Sequence, residues 1–538
     1  MQRADNYPFK DKIALVAEGC LPGAYLDPIN ANRPVNKTAP KITQRDILEP
    51  YVKEIFNKVH NCGFNAFISD DAIATAEYIL EKTDGEPYAL PAILRFSNVA
   101  MEPYRIIPAI KQFKKNARVI GYNYKDEPEF WSWGDALMDP QYDNKGNEIF
   151  YSTSQWSFLT AWNAVCSELV PGSLGYWTLA VPVKGSEQEK NVLGTCKDYE
   201  QYLKTLDRLY KPVLWAYDVY PIQKKIENAG TKDNEKEKTL IEVQHAHFYN
   251  SFRMFRNQSV KTGNIFWAYA MVLDHSWYEK GESQYSVNLP TPTLGSLRFE
   301  IFSALACGAQ GIVFYKLGSS LNLERNRIPL TPDEGQEPDY SSLPEGNFTV
   351  DAAFIGEDKG GYVFTLEVNA RLLGIIKSAI TEVQKYNLVF AGAHATNLWQ
   401  YGSEYDDEIP LLETNNTLEA GTSFGWIPGM LALSVEAAPD TPKNSRGVLI
   451  TRIENTRIVN SISRYIVIVS HNPFFAQVLK LKFLYSQFKI LNPITYSTIK
   501  PTVPQTADWN TPAGTPIPKA ENGYYTLPAG GYIILKEN

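Results

Sequence analysis

The chain has 538 residues, a length that predicts two to four domains, or one large barrel with an addition. Its formal net charge of −8 and pI near 5.5 argue against a nucleic-acid partner, which would require a basic patch. Aromatic residues make up 13% of the chain, and no apolar run is long enough to span a bilayer.

The cysteines and histidines show no pattern of metal ligands. The five cysteines are far apart, and no Cys/His spacing suggests a zinc site. His245 and His247 lie in a predicted helix, where a spacing of two residues turns the rings apart. We therefore expect neither a metal nor a cofactor. The segment from Met1 to Tyr7 has no apolar signal core, which leaves open a cytoplasmic protein or one whose signal has been removed.

Buried β-rich runs alternate with amphipathic runs over most of the chain. The predicted strands are 12–17, 64–69, 92–96, 118–122, 176–183, 213–221, 264–272 and 311–316. The predicted helices are 43–61 (with Pro50 setting its first turns apart), 72–82, 106–113, 155–169, 198–210, 238–255, 296–307 and 371–386. Eight βα units predict an α/β fold, a closed (β/α)₈ TIM barrel over residues 1–388.

The pattern of apolar residues changes after about residue 388. Alternating runs at 446–451, 464–470, 478–483 and 532–536 are separated by turn signals. They predict a small antiparallel β-sandwich domain over residues 389–538. A polar insertion at 318–361 follows the eighth strand and is interpreted as a lid or packing loop.

Two adjacent carboxylates, Asp126 and Glu127, come just past the fourth strand, where Pro128 ends the run. In a parallel barrel the carboxyl ends of the strands carry the chemistry. Phe130, Trp131 and Trp133 follow directly, and carboxylates beside aromatic faces suit a sugar site. A solvated acidic turn explains Asp-Glu-Pro equally well.

Four short motifs in order carry a resemblance to a known group of enzymes. They are GYNYKDEP at 121–128, YDVYP at 217–221, FWA at 266–268 and PTLGSLR at 292–298. With them, residues 10–390 resemble the clan of (β/α)₈ glycoside hydrolases that includes the β-galactosidase-like enzymes. They are especially similar to proteins of Bacteroides-type bacteria that are assigned as glycoside hydrolases. The last part of the chain is similar to the accessory domain of such proteins.

The resemblance implies roles for single residues. Glu127 matches the acid/base glutamate of the clan, and Asp126 stands where the usual neighbour is an Asn that contacts the sugar 2-hydroxyl. Retaining members carry a nucleophilic Glu on strand seven, but residues 265–272 contain no carboxylate. The nearest carboxylates are Asp274 and Glu279, which puts a double-displacement mechanism in doubt.

Other candidates have a structural interpretation beside the functional one. Asp218, at the end of strand six, is either the second catalytic carboxylate or a helix cap. Asp274, with His275, is either a base with its orienting partner or a polar pair in a loop, and the second is favoured. Glu18 and Arg95 are candidate substrate-binding residues that are expected to point into the barrel, where an ion pair is favoured over a direct chemical role. Core packing explains any single one of the candidate sugar-binding aromatic residues better than stacking does; they are Trp131, Trp133, Trp177, Trp215, Tyr217, Tyr220 and Trp267.

Two functions remain open. One is a glycoside hydrolase of an oligo- or polysaccharide, with Glu127 as general acid and Asp218 as its most probable partner. Strands four and six are not neighbours, so we expect the longer carboxylate separation of about 6.5–9.5 Å that accompanies inversion. The other is a carbohydrate-binding protein on a degenerate barrel. The resemblance implies a periplasmic or extracellular location, and the sequence predicts no oligomeric state.

Overall fold

The computed structural model describes residues 7–22, 45, 48–69, 73–95, 103–126, 141–142, 148–149, 168–182, 189, 193, 196–210, 212–227, 238–278, 285–288, 290–319, 346–358, 364–401, 430–437, 447–455, 462–483, 488–492, 495–497 and 523–537. The predictions made for Glu127, Trp131 and Trp133 lie outside the described residues.

Eight parallel strands form a closed barrel, which confirms the predicted fold class. They are β1 Ala14–Glu18, β2 Ala66–Ile68, β3 Ala92–Arg95, β4 Val119–Asp126, β5 Leu174–Ala180, β6 Leu214–Asp218, β7 Ile265–Met271 and β8 Gly311–Tyr315. Each strand pairs with the next along the chain, and β8 closes on β1, where Val313 lies opposite Val16. The strands are short apolar runs because helices cover one face and the barrel interior covers the other.

Helices follow most of the strands. They are α1 Val52–Cys62, α2 Ile73–Lys82, α3 Pro103–Phe113, α4 Tyr199–Tyr210, α5 His245–Thr262, α6 Leu294–Ala306, α7 Ala370–Lys385 and the short α8 Asn387–Phe390. Pro50 lies in a separate 3₁₀ turn, Glu49–Tyr51, before α1, as predicted. Most of the helix predicted at 155–169 lies outside the described part of the chain.

One helix prediction was wrong in its first half. Residues 238–255 were expected to be a single helix, but Lys238–Val243 is a strand that pairs antiparallel with Ile222–Glu227. Thr239, Ile241 and Val243 are β-branched residues, which favour strands, so strand pairing outweighed the helical spacing. Helix α5 begins only at His245.

Further antiparallel ribbons extend from the loops of the barrel. Asp274–Tyr278 pairs with Gly346–Asp351, and Phe354–Asp358 pairs with Phe364–Val368. The remaining short strands are Gln141–Tyr142, Glu148–Ile149 and Tyr285–Asn288. The insertion at 318–361, which the sequence indicates as a lid or packing loop, therefore contains two strands, Gly346–Asp351 and Phe354–Asp358.

The last part of the chain forms two antiparallel sheets. Their strands are β9 Ala393–Tyr401, β10 Met430–Ala437, β11 Val448–Asn455, β12 Ser463–Ser470, β13 Gln477–Phe483, β14 Phe488–Ile490, β15 Thr495–Ser497, β16 Gly523–Leu527 and β17 Tyr532–Glu537. The strand orders are β9-β11-β12-β17-β14 and β10-β13-β16-β15. No helix occurs among the described residues after α8. The arrangement of the two sheets as a sandwich and the domain boundary at residue 388 stay predictions.

Helix α6 joins the barrel to the first of these sheets. It is buried nearly all round, as a helix with apolar residues on every face must be. It contacts both β7 and β12, and its Phe302 ring stacks on Tyr532 with the ring centres 3.7 Å apart. The Arg298 guanidinium donates bidentate hydrogen bonds to the carboxylate of Glu382 in α7. The Tyr532 hydroxyl donates to the same carboxylate at 3.2 Å.

Candidate functional site

The barrel strands send alternate side chains to two different cores. In β1, Ala14 and Val16 belong to the cluster inside the barrel, whereas Leu15 and Ala17 pack in the larger cluster that reaches the helices. Because side chains alternate along a strand, Glu18 must point inward above Val16. The same alternation along each strand decides which candidate side chains can face the barrel mouth, the opening at the carboxyl ends of the strands.

A polar layer lies just below the mouth. We call it the polar floor, and it consists of Glu18, Arg95, Asn123, Thr178, Asp218 and Tyr269. Arg95 and Glu18 form the expected ion pair through Nη1 and Oε1, and only 5% and 0% of the two residues is exposed. Both charges can be buried because the attraction between them offsets the hydration that each one loses.

Asn123, Thr178 and Tyr269 form a hydrogen-bonded chain across the floor from β4 to β7. Asn123 Nδ2 donates to Thr178 Oγ1 at 2.9 Å, and Thr178 Oγ1 shares a second hydrogen bond of 2.9 Å with the hydroxyl of Tyr269. All three side chains are buried. Strand seven therefore contributes a phenol, that of Tyr269, to the polar floor.

Asp218 is the carboxylate that the sequence predicted at the end of β6. Leu214 and Ala216 point into the barrel and Trp215 points out, so alternation turns Asp218 inward. Asp218 is half-buried and lies close enough to the Tyr220 phenol to raise the pKa of Tyr220. It is thus an acidic group within the mouth.

Tyr220 lies at the mouth next to several acidic and phenolic groups. Burial raises its pKa well above the ordinary value, and nearby Asp218, Tyr315, Glu18 and Tyr269 raise it further. The rings of Tyr220 and Tyr315 are 6.1 Å apart and tilted by 31°. Both contact a small apolar cluster formed by Met271, Leu273, Ala352 and Ile355. This cluster gives the mouth an apolar wall beside the polar floor.

Asp274 begins the ribbon that leaves β7. It is 4% exposed, and Thr291 Oγ1 donates to its Oδ2 at 3.4 Å. Thr291 lies just before α6, so this contact links the ribbon to the start of that helix. The geometry favours the structural interpretation of Asp274; the side chain of His275 is outside what the structure describes.

Three predicted sugar-binding residues are placed between the strands and the helices. Trp177, Trp215 and Tyr217 are 1–2% exposed and belong to the outer cluster. Tyr217 stacks on Phe255 of α5 with ring centres 4.8 Å apart. Their expected position at the mouth is therefore corrected to core packing, because strand alternation turns them outward.

Trp267 does point into the barrel, but at the opposite end from the mouth. Its Nε1 donates to the hydroxyl of Tyr7 at 2.8 Å, and Tyr7 donates to the carbonyl of Gln310, just before β8. The ring touches Gly311 so closely that a Cβ there would lie 2.5 Å from it. Trp267 plugs the amino-terminal end of the barrel, which corrects its predicted place at the mouth.

The side chains of the two predicted acidic residues Asp126 and Glu127 lie outside what the structure describes. Asp126 is the last residue of β4, where its backbone pairs with Thr178, and only that backbone is described. Glu127, Trp131 and Trp133 come after it. Their predicted roles stay predictions, as does the separation between the carboxylates of Glu127 and Asp218.

A buried acid that the sequence analysis did not single out supports the end of β7. Glu300 of α6 accepts a hydrogen bond from the backbone N–H of Met271 at 2.9 Å. Burial raises its pKa to about 8, and the Met271 hydrogen bond offsets part of that rise. The signal in the sequence is an acid within Leu294–Ala306, a helix whose other residues are apolar or small except Arg298.

We expect Glu300 to make the protein less stable as pH rises from about 4.5 to about 8. In that range the unfolded state has lost the proton while the folded state holds it, so folding must take up a proton. One pKa unit corresponds to about 1.4 kcal/mol, so the full effect is on the order of 5 kcal/mol. In Glu300→Gln, which keeps an acceptor for Met271, the melting temperature should fall less between pH 5 and pH 8. Equal pH dependence in both proteins would contradict this.

Within the described ranges, no group of three or more His, Cys, Asp or Glu side chains could hold a metal ion. None of the helices that the structure describes is long and apolar enough to cross a membrane.

Comparison with solved structures finds glycoside hydrolases. A GH42 β-galactosidase from G. stearothermophilus, solved as a catalytic mutant, matches over 98% of both chains at 9% identity, with a TM-score of 0.47. A family 1 β-glucosidase from Thermotoga maritima matches 70% of this chain and 98% of its own at 10% identity, with a TM-score of 0.38. Xylanase A from P. fluorescens subsp. cellulosa matches 71% of this chain and 99% of its own at 9% identity, with a TM-score of 0.34.

No protein-family model matches the sequence, and no curated protein matches it. At these identities and TM-scores the solved structures carry no argument about function. The barrel is established by its own strand order.

Proposed function

We propose that this protein is a glycoside hydrolase acting on an oligo- or polysaccharide, with Glu127 as general acid and Asp218 as its partner carboxylate. The observation that carries the proposal is the inward position of Asp218 in the polar floor, at the end of a closed barrel where such enzymes act. The ordered motifs that resemble the β-galactosidase-like clan add the assignment of Glu127. They also underlie the finer proposals, a Bacteroides-type relationship and a periplasmic or extracellular location.

Asp218 itself is half-buried, and the phenol of Tyr220 lies close to it. Glu127 follows the last residue of β4 directly. If the carboxylates lie about 6.5–9.5 Å apart, a water fits between them and the sugar is released with inversion.

A second candidate function is carbohydrate binding on a barrel that has lost catalysis. The observation in its favour is β7, which presents Tyr269 to the polar floor and contains no carboxylate in Ile265–Met271. A protein of this kind would bind sugar in the mouth and leave the glycosidic bond intact.

The test uses Asp218→Asn on a panel of p-nitrophenyl glycosides in both anomeric forms. We expect hydrolysis by the wild type, and at least about a tenfold lower kcat in the variant, since one positioned acid or base contributes about 10²–10⁴-fold. The control is Asp198→Asn, a carboxylate that bonds the backbone N–H of Gln201 in the first turn of α4. Sugar binding without hydrolysis of any glycoside by the wild type would favour the second candidate.

A further inference from the structure

The amide of Asn123 is held in place by the polar floor. Its Nδ2 donates to Thr178, which in turn is fixed by the hydrogen bond with Tyr269. None of the Asn123 residue is exposed. Asn123 belongs to the GYNYKDEP motif, but a single Asn within a strand does not by itself indicate a ligand site.

The other atom of that amide has no hydrogen-bond donor. Among the described residues, Asn123 Oδ1 is buried without a partner. Buried polar atoms in native proteins almost always have one, and an unsatisfied acceptor costs about 1–3 kcal/mol. A group that supplies the missing donor therefore gains free energy at this position.

The hydroxyl of Tyr220 is a second buried polar group without a hydrogen-bond partner among the described residues. Tyr220 lies close enough to Tyr269 for Tyr269 to raise its pKa. Tyr269 is the end of the hydrogen-bonded chain that is farthest from Asn123. The buried oxygen of Asn123 therefore lies at one end of the Thr178–Tyr269 pair, and the buried phenol of Tyr220 lies near the other end, beside the polar floor.

We propose that Asn123 and Tyr220 form a subsite for hydroxyl groups of a neutral sugar, with Thr178 and Tyr269 as positioning residues. A hydroxyl both donates and accepts, so it satisfies an orphan carbonyl oxygen as well as a phenol. An anionic group is disfavoured, because Asp218 and Glu18 lie near Tyr220 and the cation of Arg95 is paired with Glu18. The subsite rests on the proposed function of the mouth and narrows its substrate to uncharged sugars.

Tyr220→Phe is the principal variant. It removes only the hydroxyl, so folding should not suffer, while the dissociation constant for the sugar should rise by about 5–30-fold, the equivalent of one lost hydrogen bond of about 1–2 kcal/mol. Tyr249→Phe is the matched control, since Tyr249 packs between Phe248 and His471, in α5 and after β12. It should bind sugar as the wild type does.

Two variants distinguish a binding role of Asn123 from a purely structural one. Asn123→Leu removes the orphan oxygen, and Thr178→Val breaks the internal hydrogen bonds but leaves that oxygen present. If Asn123 is only structural, the two variants should weaken binding equally. We expect Asn123→Leu to raise the dissociation constant more than Thr178→Val at a similar loss of melting temperature.

Binding is measured by calorimetry with galactose, glucose, xylose and fucose, and with glucuronate as the charged probe. A crystal structure with the tightest of these sugars should show a sugar hydroxyl within hydrogen-bond distance of Asn123 Oδ1. Tighter binding of glucuronate, no binding of any neutral sugar, or unchanged binding in both Tyr220→Phe and Asn123→Leu would each overturn the subsite.

The outcomes separate the subsite from the hydrolase. A wild type that binds neutral sugar through Tyr220 but hydrolyses no glycoside keeps the subsite and rejects the hydrolase. A wild type that hydrolyses glycosides with the same KM in Tyr220→Phe and Asn123→Leu keeps the hydrolase and rejects the subsite.

Discussion

Replacing Glu127 with glutamine is expected to lower kcat by about 10²–10⁴-fold and to leave sugar binding close to normal. The amide has the size of the acid but cannot give a proton to the leaving oxygen. In the wild type, repulsion from the adjacent Asp126 should help to keep Glu127 protonated near neutral pH. The measurement is steady-state hydrolysis of an activated and an unactivated glycoside, with binding followed by calorimetry.

The two glycosides sharpen this test. A good leaving group needs little protonation, so the variant should lose much less activity on the p-nitrophenyl glycoside than on the unactivated one. Glu54→Gln, on the exposed face of α1, is the control and should match the wild type. An unchanged kcat on the unactivated substrate would remove Glu127 from the role of general acid.

The barrel could be predicted from the sequence because its signal is repeated. Each βα unit gives the same pattern, and the eight strands found lie within a few residues of those predicted. The failure at Lys238–Val243 is of a different kind. Its β-branched run can form a strand only because Ile222–Glu227 lies beside it, and pairing partners are not visible in a local pattern.

The candidate site was predicted less completely than the fold. Carboxylates at strand ends, such as Asp218 and Glu18, are visible in sequence because they interrupt apolar runs. Trp177, Trp215 and Tyr217 were misplaced because the prediction did not fix which face each strand residue occupies, and one step turns a side chain to the other face. Trp267 faces inward but lies at the opposite end of the barrel. Trp215 and Asp218 are three residues apart in β6, so they must face opposite sides.

Asn123, Thr178 and Tyr269 were missed for a related reason. Each is a single polar residue in a buried strand, and only the closed barrel brings them into one hydrogen-bonded chain. Glu300 needed the same information, since its partner is a backbone N–H in another element. The role of a residue whose partners are distant in sequence can be inferred only when the fold is known.

Replacing Trp267 with alanine is expected to lower the free energy of unfolding by about 3–5 kcal/mol, the usual cost of removing a buried Trp or Phe. The ring is fully buried, packs against Phe9 and Tyr176, and fits over Gly311. The dissociation constant for the sugar should not change, because this end of the barrel is opposite the mouth. Trp267→Phe fills part of the volume and should cost less. Denaturant unfolding and calorimetry on the same samples decide the matter: weaker sugar binding at unchanged stability would place Trp267 in the binding site and contradict its role as a core residue.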